Sequence, residues 1–575
     1  MTQTVARQRL VEVAQARQQG IGSLLYRTAV RHPDRTALVW RGRRDSYAEL
    51  NAAVNSAAAA LSARGVSVGD RIVLLSHNCR EFAVLYFALA KLGAISVPVN
   101  FMLTAPEVAF IVDHAEATGF IVEDALLPVA IDALATSAQG DDCRLRAVIP
   151  LQAGAPPPGW DDVAQWLDDP GAPEPEVLIA DDAPIQLMYT SGTESRPKGA
   201  TMTSRSLVAQ YVSVIVDGSM TEDDVEIHAL PFYHCAQLHC FLTPDVYLGA
   251  TSVVLERPDP AAILAAIEAE RVTKLFAPPT VWISLLRHPD FDTRDLSSLR
   301  KGYYGAAAMP VEVLRELGER LPQAGFWNFY GQTEMAPLAT VLKPADQVRK
   351  AGSAGRACLN VETRLVDDDG RPVTPGEVGE IVHRSPQAMT GYWRDPEKTA
   401  EAFRDGWFHS GDLGIMDSEG YLSVVDRKKD MIKSGGENVA SREVEEVLFL
   451  HPSVAEAAVF GIPDPYWIEA VAAAVVARPD STLTSADVIA HARAHLAGFK
   501  VPKVVVVLEA LPKNPSGKIL KRELRASFAA AADTAATGQA RSTATTTPGS
   551  DDAAAEPYPG ASPKGKTPPS AATSQ

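Results

Sequence analysis

The sequence predicts an α/β protein: a large N-terminal domain of layered α/β subdomains plus a β-rich subdomain, then a small α+β C-terminal domain. Three observations carry that expectation. The chain has 575 residues, too many for one hydrophobic core. Short apolar runs alternate with helical segments through its first part, as layered and largely parallel sheets require. A charge run, Asp426-Arg427-Lys428-Lys429-Asp430, then separates this long part from a compact remainder. The expected boundaries are 1–426 for the large domain, 427–429 for the connection, 430–528 for the small domain and 529–575 for a tail.

In chain order, a helix from Ile21 leads to a strand at Thr36-Ala37-Leu38-Val39-Trp40, and Asn51 to Arg64 reads as an alanine-rich helix ended by Gly65. Strands are expected at Arg71–Ser76 and Ala94–Val99, with a helix at Glu81–Leu92 between them. The Pro-, Gly- and Asp-rich stretch from Gly140 to Pro184 reads as a surface connection. Ile185 to Tyr189 is a short buried strand, and Ser204 to Val214 a helix. Gly376-Glu377-Val378-Gly379-Glu380-Ile381 and Gly391-Tyr392-Trp393 suit turns between the short strands of the β-rich part. In the small domain, Ser441 is the expected N-cap of a helix to Leu450; strands follow at Ala455–Gly461 and Ala470–Ala477, and a helix at Ser485–Leu496. After Phe528, Ala, Thr, Ser, Pro and Gly dominate, so the tail is expected to be disordered.

Composition narrows the function. A net charge of −17 argues against non-specific nucleic-acid binding. The five cysteines show no C-x-x-C pair and no zinc spacing, and read as reduced thiols of a cytoplasmic protein. The most apolar long segment, Phe82 to Val99, is interrupted by Lys91, so no stable membrane insertion is expected.

The stretch Tyr189-Thr190-Ser191-Gly192-Thr193-Glu194-Ser195-Arg196-Pro197-Lys198-Gly199 carries the most chemistry. Glycine lets backbone N–H groups face an anion, the hydroxyls donate hydrogen bonds and Lys198 adds a point charge. The spacing is not that of a Walker A loop, and taken alone the segment could be an exposed polar loop. Phe329-Tyr330-Gly331-Gln332-Thr333-Glu334 offers an aromatic to cover a flat ring, a hydroxyl for a phosphate and a hard carboxylate for Mg²⁺. Asp412, in His409-Ser410-Gly411-Asp412, could accept two hydroxyls of a ribose. Leu511-Pro512-Lys513-Asn514-Pro515-Ser516-Gly517-Lys518 is a flexible lysine carrier.

In order and spacing, these segments resemble the adenylate-forming enzymes: acyl-CoA synthetases, firefly-luciferase-like enzymes and the adenylation domains of peptide synthetases. The likeness spans roughly residues 20 to 525 and is nearest to bacterial fatty acyl-CoA synthetases. It implies ATP, CoA and Mg²⁺ as cofactors. Thr190, Ser191, Gly192, Thr193 and Lys198 would hold phosphates. Gly305, Ala306 and Ala307 would lie against adenine, with Tyr330, Gly331, Gln332 and Thr333 nearby. Asp412 and Arg427 would take the ribose, Lys429 would be the hinge of a mobile small domain, and Thr190 and Glu334 would hold the metal. Lys518 would align the reacting carboxylate and α-phosphate. Lys433, Gly435, Gly436 and Glu437 would face CoA after the small domain turns. The acyl pocket would use Tyr233, His234, Gln237, Leu238, Tyr304 and Met335.

An uncharged, aromatic-rich pocket suits an apolar acid better than an amino acid, whose ammonium would need a buried carboxylate. The expected activity is therefore an acid–thiol ligase making acyl-CoA from a medium- or long-chain fatty acid, through an acyl-adenylate and with release of pyrophosphate. The alternatives are an aromatic or short-chain acid, or loading of a separate carrier protein. A non-catalytic acyl-nucleotide sensor should lack Glu334 or Lys518, and both are present. The chain departs from the family pattern at Glu194 and Ser195, at Ser204, where many relatives carry histidine, and at Ile468, in place of a frequent glycine. Chain length and oligomeric state, a homodimer included, stay open.

Overall fold

The structure, a computed structural model, describes residues 12–14, 16–152, 154–190, 197–305, 307, 309–428, 430–434, 437–464, 467–479, 481–514 and 519–528. Met1–Arg525 form one compact unit. Three sheets build its first part. A seven-stranded sheet runs Asp161–Asp162, Leu145–Ile149, Gly119–Glu123, Arg71–Leu75, Ile95–Pro98, Pro184–Thr190, Lys198–Thr203, and is parallel up to its last pair. A nine-stranded sheet has at its centre Gly325–Gly331, Lys301–Gly305, Lys274–Phe276, Val225–His228 and Thr251–Val254, all parallel. Trp407–Met416 is the hub of an antiparallel five-stranded sheet. Another five-stranded sheet, around Ile468–Ala477, forms the core of the small domain.

The helices between the layers follow from their sequence. Arg80–Leu92 is apolar nearly all round, so every residue but Glu81 is buried, and it stops at Gly93, whose φ of 68° suits glycine. The next finding corrects an expected start. The helix expected from Asn51 begins at Tyr47, because Ser46 and Glu49 form a reciprocal capping box.

Three other expectations need correction. The stretch from Gly140 to Pro184 is not all surface: Leu145–Ile149 pairs in parallel with Gly119–Glu123, and Trp166 is buried. Lys198 does not lead straight into a helix; it opens a strand, Lys198–Thr203, that returns antiparallel along Pro184–Thr190 before the helix Ser204–Asp217. Ser441 is the first residue of its helix rather than the cap, and the carboxylate of Asp426 takes its N–H at 2.6 Å. An anion at a helix N-terminus serves the same orphan donors as a cap does.

No described helix is long and apolar enough to cross a membrane. The five cysteines are buried and unpaired.

Candidate active site

A cavity of about 410 Å³ lies where the sheets meet, and its walls come from both the large domain and the loop bearing Asn514. Its polar side is built on the antiparallel pair Pro184–Thr190 and Lys198–Thr203, so that Thr190 and Lys198 stand opposite each other in register. Thr190 Oγ1 donates to Lys198 O at 3.5 Å, and the Lys198 ammonium sits 5.2 Å from the ring centroid of Tyr392. The Gly391–Trp393 segment is stitched to this strand: Thr201 N–H donates to Gly391 O at 3.0 Å and Trp393 N–H to Gly199 O at 2.7 Å.

Glu334 faces the same space. Tyr392 Oη donates to its Oε1 at 2.8 Å, which orients the carboxylate, and Lys198 and Thr333 line the same cavity. Gly331 has to be glycine, since a Cβ there would lie 1.8 Å from Pro337 O; at Gly305 it would lie 2.4 Å from Phe329 O.

Asp412 is almost fully buried beside Tyr330 and Gln332. Its Oδ2 accepts from Tyr330 Oη at 2.8 Å and from Gln332 Nε2 at 3.0 Å. Oδ1 makes no hydrogen bond, and Arg427 Nε is 3.3 Å away. The Arg427 charge beside it offsets part of the cost of burying that oxygen without a hydrogen bond. Burial, together with the Asp412 charge, pushes the Tyr330 phenol well above its ordinary range, so it stays a donor.

The far end of the cavity is apolar. Phe241 stacks on Phe276 at 4.5 Å and on Phe329 at 5.8 Å, and these rings line the cavity together with Cys240, Met188 and Leu338. Cys235 Sγ is 3.2 Å from Thr333 Oγ1, and burial pushes its thiol up to about 12, which rules it out as a resting nucleophile.

The cavity thus gathers Thr190, Lys198, Tyr233, His234, Tyr330, Gly331, Gln332, Thr333, Glu334 and Arg427, with Asp412 and Gly305 directly behind. Four expected pocket residues do not line it. Gln237 turns away to His228 Nδ1 at 2.7 Å, and Leu238 is fully buried. Tyr304 sits in a separate apolar cluster with its hydroxyl on Gln347, and Met335 is packed in the main core. Ala307 is exposed, as are Lys433 and Glu437 on the small domain. Ser191, Gly192, Thr193, Ala306, Lys429, Gly435, Gly436 and Lys518 lie outside the described residues, as do Glu194 and Ser195.

A buried charge cluster explains the orientation of Gln237. Lys274 Nζ lies 2.8 Å from Glu226 and is ion-paired with Asp245, and His228 is 3.5 Å from Asp245. Glu226, His228 and Asp245 could hold a metal by spacing, but the lysine ammonium already supplies the cation there. Burial pushes the Glu226 carboxyl up and the His228 imidazole down from their ordinary values beside the Lys274–Asp245 pair.

The cavity thus sets threonine hydroxyls, Lys198, Arg427 and the Glu334 carboxylate together with stacked aromatic rings. The family model of AMP-binding enzymes matches residues 25–393, and that of the AMP-binding enzyme C-terminal domain matches residues 443–518. The chain belongs to the AMP-binding enzyme family. Among its relatives in this family, a feruloyl-CoA synthase of Amycolatopsis is 40% identical over 89% of this chain and all of its own length. An indoleacetate–CoA ligase of Aromatoleum aromaticum is 37% identical over 86% of this chain and 95% of its own. A long-chain-fatty-acid–CoA ligase of Mycobacterium tuberculosis is 36% identical over 85% and 94%. The solved structure of an anthranilate CoA ligase with anthranoyl-AMP superposes with a TM-score of 0.82 at 26% identity, covering 90% of this chain and 99% of that one. This AMP-binding enzyme is an AMP-forming acyl-CoA synthetase, using ATP and CoA on a small carboxylic acid.

The cavity also holds residues that sequence reasoning did not assign to a site: Asn100, Cys240, Phe241, Phe276, Tyr392 and Asn514. Two had a signal. Tyr392 stands in the Gly-Tyr-Trp segment and Asn514 in the lysine-carrier segment, both noted above. The others lack a local pattern.

Proposed function

We propose that the acid is compact and aromatic, an aryl group on a short carboxylate-bearing arm. The observation that supports this is the stacked wall of Phe241, Phe276 and Phe329, which offers flat aromatic surfaces to the cavity. The first expectation, a medium- or long-chain fatty acid, needs a continuing channel instead.

In this reading a carboxylate oxygen of the acid attacks the α-phosphorus of ATP, and pyrophosphate leaves with the electron pair of the broken P–O bond. The CoA thiolate then attacks the acyl carbon and AMP departs. Tyr330 covers the adenine, while Asp412 and Arg427 hold the ribose. Lys198 and Thr190 with Ser191, Gly192 and Thr193 hold the phosphates, and Lys518 aligns carboxylate and phosphorus. A carboxylate pinned by Tyr392 and a threonine hydroxyl form a hard-oxygen set that fits Mg²⁺, so Glu334 and Thr190 would hold it. Bound there, Mg²⁺ neutralises phosphate charge. Lys433, Gly435, Gly436 and Glu437 would meet CoA after the small domain turns. The five buried thiols support a reducing, cytoplasmic setting.

The test is a panel of cinnamic, indoleacetic, benzoic and straight-chain acids with ATP, Mg²⁺ and CoA, reading pyrophosphate and acyl-CoA separately. Aryl acids should give the highest kcat/KM with both products. A graded optimum among long alkyl acids would overturn the aromatic reading, and pyrophosphate without acyl-CoA would mean another thiol acceptor.

A further inference from the structure

The turn that carries Tyr233 to the cavity is held from behind by one buried side chain. Asn78 follows the strand Arg71–Leu75 of the seven-stranded sheet and is 1% exposed. Its Oδ1 accepts from Phe232 N–H at 2.8 Å, and its Nδ2 donates to Leu230 O at 2.7 Å. Leu255 O and His228 O lie 3.3 and 3.4 Å from the same nitrogen. A single carboxamide therefore meets the segment much as a neighbouring strand would, with Pro231, which has no N–H, between the two contacts. His228 ends one strand of the nine-stranded sheet and Leu255 follows the strand beside it, so Asn78 ties the two sheets together at the root of the turn.

Beyond Phe232 the chain folds tightly. His234 N–H donates to Pro231 O at 3.0 Å, and Tyr233, His234 and Cys235 all line the cavity. The Tyr233 ring has a support of its own: Phe101 meets it edge-on at 5.3 Å, and His77, the residue before Asn78, stacks on Phe101 at 3.9 Å. Buried Glu123 holds His77 in turn, accepting its backbone N–H at 2.7 Å and lying 2.9 Å from its Nδ1. Two consecutive residues thus brace one cavity wall, Asn78 through the backbone of the turn and His77 through a ring. Asn78 does not itself line the cavity, so its effect on a bound molecule has to pass through the residues that do.

We propose that Asn78 is a positioning residue for the carboxylic acid: by fixing the Leu230–Phe232 backbone it sets where Tyr233 stands, and through Tyr233 the affinity for the acid. This rests on the acid lying against Tyr233 and holds for an aromatic or an alkyl acid alike. A shorter side chain at 78 leaves Leu230 O and Phe232 N–H without the partner they have now, and the turn moves to find another. An aspartate keeps the acceptor for Phe232 but loses the donor to Leu230. The groups assigned to ATP, Thr190 and Asp412 among them, are held by contacts of their own, so nucleotide affinity should stand.

The experiment takes the acid with the highest kcat/KM in the panel above and measures KM for that acid and KM for ATP, the other substrates saturating. The enzymes are the wild type, Asn78→Ser, Asn78→Asp, Tyr233→Leu, and Asn78→Ser combined with Tyr233→Leu. KM is independent of the active fraction, and the second substitution at 78 covers poor folding of the first. Both should raise the acid KM about tenfold, the size of one lost hydrogen bond, and leave the ATP KM within about twofold. Added to Tyr233→Leu, Asn78→Ser should raise the acid KM about threefold or less, because the ring it positions is already gone. A lower kcat with both KM values unchanged, an equal rise in both, or the full rise in the Tyr233→Leu background overturns the role of Asn78 and leaves the acid where it is placed. A Tyr233→Leu enzyme with an unaltered acid KM overturns that placement and this inference together.

Discussion

Removing the charge of Asp412 should damage ATP use in a way the structure quantifies. Oδ2 already accepts from Tyr330 and Gln332, while Oδ1 has no hydrogen bond and is ion-paired with Arg427 at 3.3 Å, so in the proposed reading the ribose hydroxyls donate to this carboxylate beside Arg427. A hydrogen bond to a charged group is worth about 1.5–3 kcal/mol, so two contribute roughly 3–6 kcal/mol. At about 1.4 kcal/mol per decade, losing both would raise the KM for ATP by roughly 10² to 10⁴. Asp412→Asn keeps shape and one acceptor, so the lower end is expected. The assay is pyrophosphate release against ATP concentration, repeated with 2′-deoxy-ATP and 3′-deoxy-ATP. The wild type should discriminate against both analogues by about tenfold or more, and the variant by about threefold or less. An Asp412→Asn enzyme that still rejects the deoxy nucleotides as strongly as the wild type would refute the ribose assignment, whatever its KM.

Two further outcomes follow from single contacts. Tyr392→Phe removes the donor to Glu334 Oε1 and should raise the Mg²⁺ concentration for half-maximal pyrophosphate release about tenfold with the acid KM unchanged; an unaltered Mg²⁺ titration would show that the phenol does not orient Glu334. His239 is held down to about 3 by burial, below its ordinary value near 6.5, so the stability it contributes is complete above the unfolded value and is lost as pH falls toward 3. At pH 5 that loss is roughly 2 kcal/mol. Urea midpoints at pH 7 and pH 5 should therefore differ less in His239→Gln than in the wild type, and equal differences would contradict the assignment.

The parts of the site legible in sequence are those where chemistry is written locally. Thr190, Lys198, Thr333 and Glu334 sit in short segments rich in glycine and hydroxyls, and the fold brings these segments to one cavity. Side-chain direction was not legible. Tyr303 and Tyr304 are adjacent in one strand and so face opposite layers, and neither reaches the cavity. Gln237 was drawn away by a buried histidine whose ionic neighbours, Asp245 and Lys274, are distant in the chain. The strand Leu145–Ile149 was hidden because its flanks are rich in turn residues, although its own five residues fit a buried strand.

The Asp426 contact with Ser441 has a consequence for timing. Arg442 adds two more bonds from the small domain, to Val424 O at 2.7 Å and to Gly352 O at 3.1 Å. Any turn of the small domain about residues 427–429 has to release all three, while Asn514 leaves the cavity wall. These contacts hold the arrangement with Asn514 at the cavity, and in the proposed mechanism they oppose the turn that would admit a thiol. In that mechanism the apparent affinity for the thiol scales with the fraction of molecules that have turned. The carboxylate that starts the small domain's helix, in that mechanism, also opposes the turn toward the second half-reaction.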